Sequence, residues 1–133
     1  METVEKDLTE QAKQAREKAF APFSGFKVGA ALRTKDGRIF TGCNIENASY
    51  SLTVCAERVA VFKAVSEGAT EFEAIAVVAD TERLTPPCGP CRQILWEFCG
   101  DIPVTMANLK GDTETVKMSE LLPRAFDARF LKC

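Results

Sequence analysis

Histidine is absent from this 133-residue sequence, and that absence narrows the chemistry open to the protein. It excludes Ser-His and Cys-His nucleophiles as well as every metal site that uses an imidazole ligand. The sequence also has no apolar run of about 18 residues or more, so we expect no membrane span. Residues 1–18 carry charges throughout, unlike a secretory signal, which favours a cytoplasmic protein.

An excess of positive charge is absent too. The 17 Lys and Arg residues are outnumbered by 19 Asp and Glu residues, which gives a formal net charge of −2 at pH 7. A phosphate backbone is normally bound by a basic stripe, so nucleic acid is not an expected partner. The length and the share of hydrophobic residues, 46%, are typical of one globular domain, which we place at residues 1–133.

Hydrophobic periodicity and turn residues predict helices and strands in the order α-β-β-α-β-α-β-β-α. Helices are predicted at residues 4–19, 55–67, 88–98 and 119–122, and strands at residues 27–34, 38–43, 73–79, 102–107 and 113–117. This order is typical of an α/β fold in which a mixed sheet of about five strands is flanked by helices. In the second helix, Val59, Phe62 and Val65 are expected to face inward.

Two successive β-α-β steps predict that the third and fourth strands are parallel neighbours. The helices that lead into these strands then begin at the same edge of the sheet, which brings Cys55 next to Cys88 and Cys91. Only residues 108–112 join the last two strands. That connection is too short for a parallel crossover, so we expect these two strands to pair antiparallel.

Six cysteines are present, and disulfides are not expected because no signal directs the chain to an oxidising compartment. They are Cys43, Cys55, Cys88, Cys91, Cys99 and Cys133. The motif Cys88-Gly89-Pro90-Cys91 opens a helix and has three interpretations: a structural zinc knuckle, half of a catalytic zinc site, or a thioredoxin-like redox dithiol. The position of the motif weighs against the redox alternative. In thioredoxins the motif lies early in the chain and follows a Trp, whereas here it lies late and follows two prolines.

A catalytic zinc site would gain its third ligand from Cys55. Three thiolates leave the fourth position open, whereas a structural site would need Cys43 or Cys99, which fit better as small buried residues. Cys-Ala-Glu, which begins at Cys55, and Pro-Cys-x-x-Cys, which ends at Cys91, match the signature of zinc deaminases. In that signature the glutamate, here Glu57, moves protons and does not bind the metal.

Positive charge is also predicted beside these thiolates. Three thiolates carry one more negative charge than a Zn²⁺ ion neutralises, and nearby cations would correct the excess. Arg58 is favoured for this task, whereas Arg92 is as well explained by an ordinary solvated side chain. The N-termini of the two helices add partial positive charge.

With these motifs, the sequence resembles the small homotetrameric cytidine deaminases over residues 21–126. Five segments carry the resemblance in the order found in that family: PFSGFKVGA at 22–30, GCNIENA at 42–48, CAER at 55–58, PCGPCRQ at 87–93 and ELLP at 120–123. The departures are Gly25 in place of a larger residue, Val59 in place of threonine, and a short tail after Phe126. The resemblance implies a cytidine deaminase-like domain with one zinc ion per subunit.

The resemblance also implies a role for each residue that matches a motif. Zinc would be held by Cys55, Cys88 and Cys91, and Glu57 would be the catalytic proton shuttle. The substrate-binding residues would be Phe26 against the pyrimidine, Asn44 and Glu46 at the ribose hydroxyls, Ala56, and Tyr50 and Phe126 from a neighbouring subunit, with Phe126 stacking on the base. Arg58 and Gln93 would support the metal ligands without binding the metal themselves.

The implied activity is the zinc-dependent hydrolytic deamination of free cytidine and deoxycytidine to uridine and deoxyuridine, with release of ammonia, as in pyrimidine salvage. The implied assembly is a homotetramer whose sites are completed across subunits. Two alternatives stay open: a blasticidin-type antibiotic deaminase, which shares the zinc motif, and a redox protein that uses Cys88 and Cys91. The loop Asn44-Ile45-Glu46-Asn47 favours a nucleoside over the antibiotic.

Overall fold

The computed structural model describes residues 2–131 and has the predicted elements in the predicted order. The helices are α1 (Glu2–Arg16), α2 (Ala56–Ser66), α3 (Gly89–Cys99) and α4 (Met118–Leu121). The strands are β1 (Val28–Thr34), β2 (Ile39–Cys43), β3 (Phe72–Ala79), β4 (Pro103–Ala107) and β5 (Thr113–Lys117). Short 3-10 turns lie at Tyr50–Leu52 and Ala128–Leu131. Cys133, for which the sequence suggests no role, lies outside the described residues.

The first helix ends earlier than predicted, at Arg16 and not near Ala19. Beyond it, the amides of Glu17, Lys18 and Ala19 bond to carbonyl oxygens three residues back, so the helix tightens into turns. The sequence predicts that Pro22 ends this helix, but Pro22 lies past this point and does not set the helix end. α1 has 15 residues, and no helix in the described part of the chain is long and apolar enough to span a membrane.

The strands form one sheet in the order β2-β1-β3-β4-β5. β3 and β4 pair in parallel, and every other pair of neighbours in this sheet is antiparallel. The predicted parallel step, the predicted antiparallel last pair and the mixed five-stranded sheet are therefore confirmed. β3 lies in the centre with both faces covered, which explains its almost unbroken apolar sequence.

Helices cover both faces of the sheet. α1 packs on one face, where Leu8 and Ala12 meet small apolar side chains of β1 and β3. α2 and α3 pack on the other face around a larger core that includes Leu32, Ile75 and Leu95. The parallel step between β3 and β4 brings the beginnings of α2 and α3 together at one edge of the sheet, as the sequence predicts.

Two glycines let helices lie directly on the strand backbone. A Cβ at Gly42 would lie 2.3 Å from the carbonyl oxygen of Ala56 and 2.7 Å from the amide nitrogen of Ala60. A Cβ at Gly29 would lie 2.0 Å from the carbonyl oxygen of Ala12. Since backbone atoms cannot swing aside, no larger residue fits in either place. Gly42 therefore sets how closely the first turn of α2 approaches β2.

The buried face of α2 differs from the predicted one. Phe62 and Val65, predicted to face inward, are 45% and 37% exposed, and Val59 is half-buried. The buried residues of the helix are Ala56, Glu57, Ala60, Val61 and Ala64. Because the helix lies against the strand at Gly42, mostly small side chains fit between the two elements, and the large apolar ones lie on the outer side.

Candidate metal centre and active site

Three cysteine side chains converge where α2 and α3 begin. Cys55 immediately precedes α2, Cys88 immediately precedes α3, and Cys91 lies buried in the first turn of α3. The Sγ of Cys88 lies 3.7 Å from the Sγ of Cys55 and 3.3 Å from the Sγ of Cys91. All three sulfurs lie within 4.8 Å of one another. The fold thus brings together the three residues predicted to bind a metal.

The sulfur cluster of Cys55, Cys88 and Cys91 fits a tetrahedral zinc ion. Zn–S bonds of about 2.3 Å place two ligating sulfurs about 3.8 Å apart, close to the separations given above. Among residues 3–131, no further His, Cys, Asp or Glu side chain joins this cluster. Cys43 and Cys99 are half-buried free thiols outside it, less buried than the sequence predicts. The donor set is that of a zinc site with one position left for water or substrate.

The positively charged side chain of Arg58 contacts the sulfur cluster. Its Nη2 donates a hydrogen bond to Cys55 Sγ at 3.4 Å. Hydrogen bonds from Cys91 and Arg58 lower the pKa of Cys55 to about 5. The hydrogen bond with Cys55 and burial raise the pKa of Cys91. Arg58 therefore favours the thiolate form of Cys55, which is the form that binds a metal ion. Arg58 lies where the sequence predicts a charge partner.

The other polar side chains predicted near the metal ligands bind carbonyl oxygens. Arg92 donates from Nε to the Pro87 carbonyl and from Nη1 to the Leu121 carbonyl, both at 2.8 Å. It therefore holds the turn before α3 against the end of α4. Gln93 Nε2 donates to the Phe126 carbonyl oxygen at 2.8 Å. A role for Gln93 in support of the metal ligands stays a prediction.

Glu57 lies in the first turn of α2, next to the sulfur cluster in sequence, and is only 5% exposed. Burial raises the pKa of Glu57 to about 7, and the negative charge of Cys55 adds to the effect. A carboxyl group with a pKa near neutrality can both accept and release a proton at physiological pH. The environment of Glu57 therefore suits a proton shuttle.

Asn44, predicted to bind ribose, also shapes the loop before β1. Its Oδ1 accepts a hydrogen bond from the Val28 amide at 2.9 Å, and its Nδ2 donates to the Phe26 carbonyl oxygen at 2.7 Å. An amide group has two N–H donors and two acceptor lone pairs, so half of its capacity is left. The ring of Phe26 is 43% exposed, which leaves a face open for a ligand.

Glu46, the second residue predicted to bind ribose, is buried and fastens the same loop. Its carboxylate accepts hydrogen bonds from the Phe23 amide at 2.9 Å, from the Ser24 amide at 3.1 Å and from the Ser24 hydroxyl. The Ser24 hydroxyl lowers the pKa of Glu46, so this carboxylate is ionised at neutral pH. Sequence reasoning missed Ser24, because a serine in a turn has no signal that names its partner.

Tyr50 and Phe126, predicted to reach a neighbouring subunit, lie on the surface of the single chain. They are 70% and 56% exposed. Tyr50 meets the ring of Phe23 edge to face, with centroids 6.4 Å apart. Phe126 stacks on Phe130, with centroids 5.5 Å apart. Two aromatic side chains that the sequence assigns to substrate binding are thus available to another molecule.

Comparisons with known proteins agree with this geometry. Residues 2–106 match the family model described as the cytidine and deoxycytidylate deaminase zinc-binding region. A cytidine deaminase of Sporosarcina psychrophila is 58% identical over 120 residues, covering 90% of this chain and 88% of the relative. The crystal structure of a cytidine deaminase from Burkholderia pseudomallei superposes with a TM-score of 0.88 at 51% identity, covering 91% of this chain and 98% of that chain.

The antibiotic-deaminase alternative has a weaker match. A blasticidin-S deaminase of Bacillus cereus is 35% identical over 104 residues, covering 72% of this chain and 74% of the relative. The greater identity and coverage of the nucleoside enzymes favour the first interpretation over this one and over the redox protein. The three sulfurs, the sheet order and these matches lead to one assignment: the chain belongs to the cytidine deaminase family and carries its zinc-binding region.

Proposed function

We propose that this protein hydrolyses free cytidine and deoxycytidine to uridine and deoxyuridine with release of ammonia, a reaction of pyrimidine salvage. The observation that carries the proposal is the cluster of Cys55, Cys88 and Cys91 sulfurs beside the buried carboxyl of Glu57. That pairing of a three-thiolate metal site with a proton shuttle is the chemistry of zinc deaminases. The cytidine deaminase of S. psychrophila, at 58% identity, supports cytidine as the substrate.

Cys55, Cys88 and Cys91 would hold the zinc ion, which would supply a Lewis acid that lowers the pKa of a water molecule so that it can lose a proton and attack the base. Glu57 accepts a proton from that water and donates it to the ring nitrogen beside the amino-bearing carbon. The water oxygen bonds to that carbon. The same carboxyl group takes the second proton from the hydroxyl group so formed and gives it to the departing amine, so ammonia leaves and the carbonyl of uridine forms. Arg58 stabilises the negative charge on Cys55 throughout.

The nucleoside would lie against the loop that carries Phe26. The exposed face of the Phe26 ring would pack on the pyrimidine, and the remaining hydrogen-bonding capacity of Asn44 and Glu46 would serve the ribose hydroxyls. Ala56 is fully buried in the single chain, and its contact with the substrate stays a prediction. Because the loop is held by Glu46 and Asn44, these contacts would be preorganised.

The assembly proposed is a homotetramer in which each site is completed by a neighbour. Its support is the exposure of Tyr50 and Phe126, together with the outward apolar face of α2 at Phe62 and Val65. Large exposed apolar side chains commonly mark an interaction surface, and a symmetric oligomer would cover them. The cytoplasmic location and the extent of one domain over residues 1–133 stay predictions.

The test is to follow the ultraviolet absorbance of cytidine with the purified protein. We expect a decrease as uridine forms, its loss after a metal chelator, and its return with zinc. A zinc-loaded protein that leaves cytidine and deoxycytidine unchanged would move the substrate to another aminated ring, with blasticidin S tested next. A protein that binds no zinc and is inactive would contradict the proposal and return Cys88 and Cys91 to a redox role.

A further inference from the structure

The segment after α4 is fastened to α3 by two side chains. Gln93 Nε2 donates to the Phe126 carbonyl oxygen at 2.8 Å, and Trp96 Nε1 donates to Asp127 Oδ2 at 3.0 Å. Residues three positions apart lie on the same face of a helix, so Gln93 and Trp96 form one docking strip. The segment therefore lies along α3, the helix whose first turn holds Cys91.

Asp127 is the centre of this attachment. Its Oδ1 accepts hydrogen bonds from the Arg129 amide and from Arg129 Nε, both at 3.0 Å. Its Oδ2 accepts one from Arg129 Nη2 at 2.7 Å, in addition to the bond from Trp96. The contacts with Arg129 and Trp96 hold the pKa of Asp127 well below its usual range. A carboxylate can accept about four such bonds, so its capacity is nearly filled.

These contacts hold the backbone of Phe126 and leave its aromatic ring largely exposed. The backbone of Phe126 is held on both sides, by Gln93 at its own carbonyl and by Trp96 at the next residue. Its ring nevertheless stays 56% exposed and stacks on Phe130, which is itself 66% exposed. Because Gln93 and Trp96 anchor a segment that buries little apolar surface, we infer that the position of the ring is what they secure.

We propose that Trp96 and Asp127 are positioning residues that hold Phe126 ready to stack on the base of the nucleoside in a neighbouring subunit. The inference rests on the proposed substrate-binding role of Phe126. An ordered ring loses less conformational entropy when the substrate binds, so the contribution appears in substrate affinity. Neither residue belongs to the sulfur cluster, and the proposal gives neither a contact with substrate, so the chemical step should not depend on them.

The test compares steady-state kinetics of variants in the zinc-loaded oligomer. Trp96→Phe keeps an aromatic ring and removes the Nε1–H donor, and Asp127→Ala removes the acceptor. We expect KM for cytidine to rise about three- to tenfold with kcat within about twofold of wild type. Asp127→Asn keeps an acceptor oxygen and should rescue part of the affinity. Zinc content and oligomeric mass should match those of wild type in each variant.

Two further variants separate this proposal from the proposed function. Phe126→Leu should raise KM, and adding Trp96→Phe to it should have no further effect, because the ring to be positioned is gone. Glu82→Ala removes an exposed carboxylate that accepts a hydrogen bond from Lys110, and it should leave KM unchanged.

The outcomes are distinct. If Phe126→Leu raises KM while Trp96→Phe and Asp127→Ala do not, the positioning role is wrong and the role of Phe126 stands. If Phe126→Leu leaves KM unchanged in an active enzyme, its substrate role and the positioning inference both fail. If the Trp96 and Asp127 variants lose oligomeric mass or kcat with KM unchanged, their contacts are structural and the inference is overturned.

Discussion

Glu57 lies among buried apolar side chains, and this environment gives its carboxyl group a pKa suited to proton transfer. Ala60, Val61 and Ala64 of the same helix are fully buried, and water reaches only 5% of Glu57. The pKa of about 7 that burial produces makes both protonation states available at little cost. A carboxylate at the surface would be ionised permanently and would be a poor acid.

Replacing Glu57 with Gln should separate proton transfer from metal binding. The amide has the same shape but cannot accept and release a proton, so kcat should fall by about 10³-fold or more. Zinc content should stay at that of the wild type, because Glu57 is not among the sulfur ligands. Both quantities are measurable on one preparation, by the absorbance assay and by elemental analysis.

Cys55→Ala is the matched comparison for Glu57→Gln, and it should lose the metal together with the activity. Near-normal turnover in Glu57→Gln would remove this residue from the mechanism. Loss of zinc in Glu57→Gln would instead assign the carboxyl group to the metal site.

Glu46 should make stability depend on acidity. The Ser24 hydroxyl and the Ser24 and Phe23 amides lower its pKa from the ordinary 4.5. A carboxyl group with a lowered folded-state pKa stabilises the fold above its unfolded pKa, and this stability is lost as pH falls through the folded pKa. We expect the wild-type free energy of unfolding to drop below pH 4.5, and Glu46→Gln to show a smaller drop.

Urea denaturation of wild type and Glu46→Gln at neutral and acid pH measures that difference. Glu114→Gln, at an exposed position on β5, serves as the control and should keep the wild-type acid profile. An acid profile of Glu46→Gln that overlays the wild-type one would show that the bonds to Ser24 and Phe23 do not set the acid stability.

At the scale of elements, the active site depends on how near α2 lies to β2. The helix supplies Glu57, and Cys55 immediately precedes it. Its first turn rests on Gly42, where a Cβ would lie 2.3 Å from a backbone carbonyl oxygen. A glycine in a strand outside the sulfur cluster thus sets the position of Cys55, the proposed metal ligand, and of Glu57, the proposed proton shuttle.

Gly42→Ala should push α2 away from the sheet. We expect a destabilisation of about 1–3 kcal/mol from overpacking, with weaker zinc binding and lower kcat, because the Cys55 sulfur moves with the helix. Denaturation and zinc titration measure the two effects. Gly89→Ala makes the same change where a Cβ meets nothing within 4 Å, and it should keep wild-type stability. Equal stability of Gly42→Ala and wild type would show that α2 and β2 can move apart without any loss in the free energy of unfolding.

The same contact shows what the sequence could predict and what it could not. Element order, the β3–β4 parallel pair and the convergence of Cys55 with Cys88 follow from local patterns plus the chirality of β-α-β connections. The prediction for the inward face of α2 is wrong. A hydrophobic pattern identifies large apolar residues, but it carries no information on how much space the neighbouring strand leaves for them. Contacts made by long polar side chains across the fold, such as Arg92 with Leu121, have no local signal at all.

At the scale of the whole molecule, the exposed apolar groups belong to helices and loops. Phe62 and Val65 lie on α2, Tyr50 lies in the loop before it, and Phe126 follows α4. These residues come from separate parts of the chain, so a single neighbour could not be assumed to cover all of them. A symmetric tetramer would offer each chain several neighbours, which is the arrangement proposed above.

Phe62→Asp should disrupt that assembly. A charged group at the centre of an apolar contact is costly to bury, so the variant should have a smaller mass in solution than the tetramer proposed for the wild type. Activity should fall with the mass if sites are completed across subunits. Light scattering coupled to size-exclusion chromatography gives the mass, and circular dichroism checks the fold. Lys35→Asp introduces the same charge at an exposed hairpin position and should keep the mass of the wild type. A wild-type monomer with full activity would contradict the assembly.

The outer strand β5 limits the ways in which copies of this sheet can meet. β5 is short, largely exposed, and carries Glu114 and Lys117 among its five residues. Charged side chains on a short edge strand discourage another chain from adding a strand there, which is how open sheets avoid endless growth. β5 discourages strand addition at its edge of the sheet, while α2 leaves an apolar face exposed. This combination directs association toward a finite particle and away from fibrous aggregation.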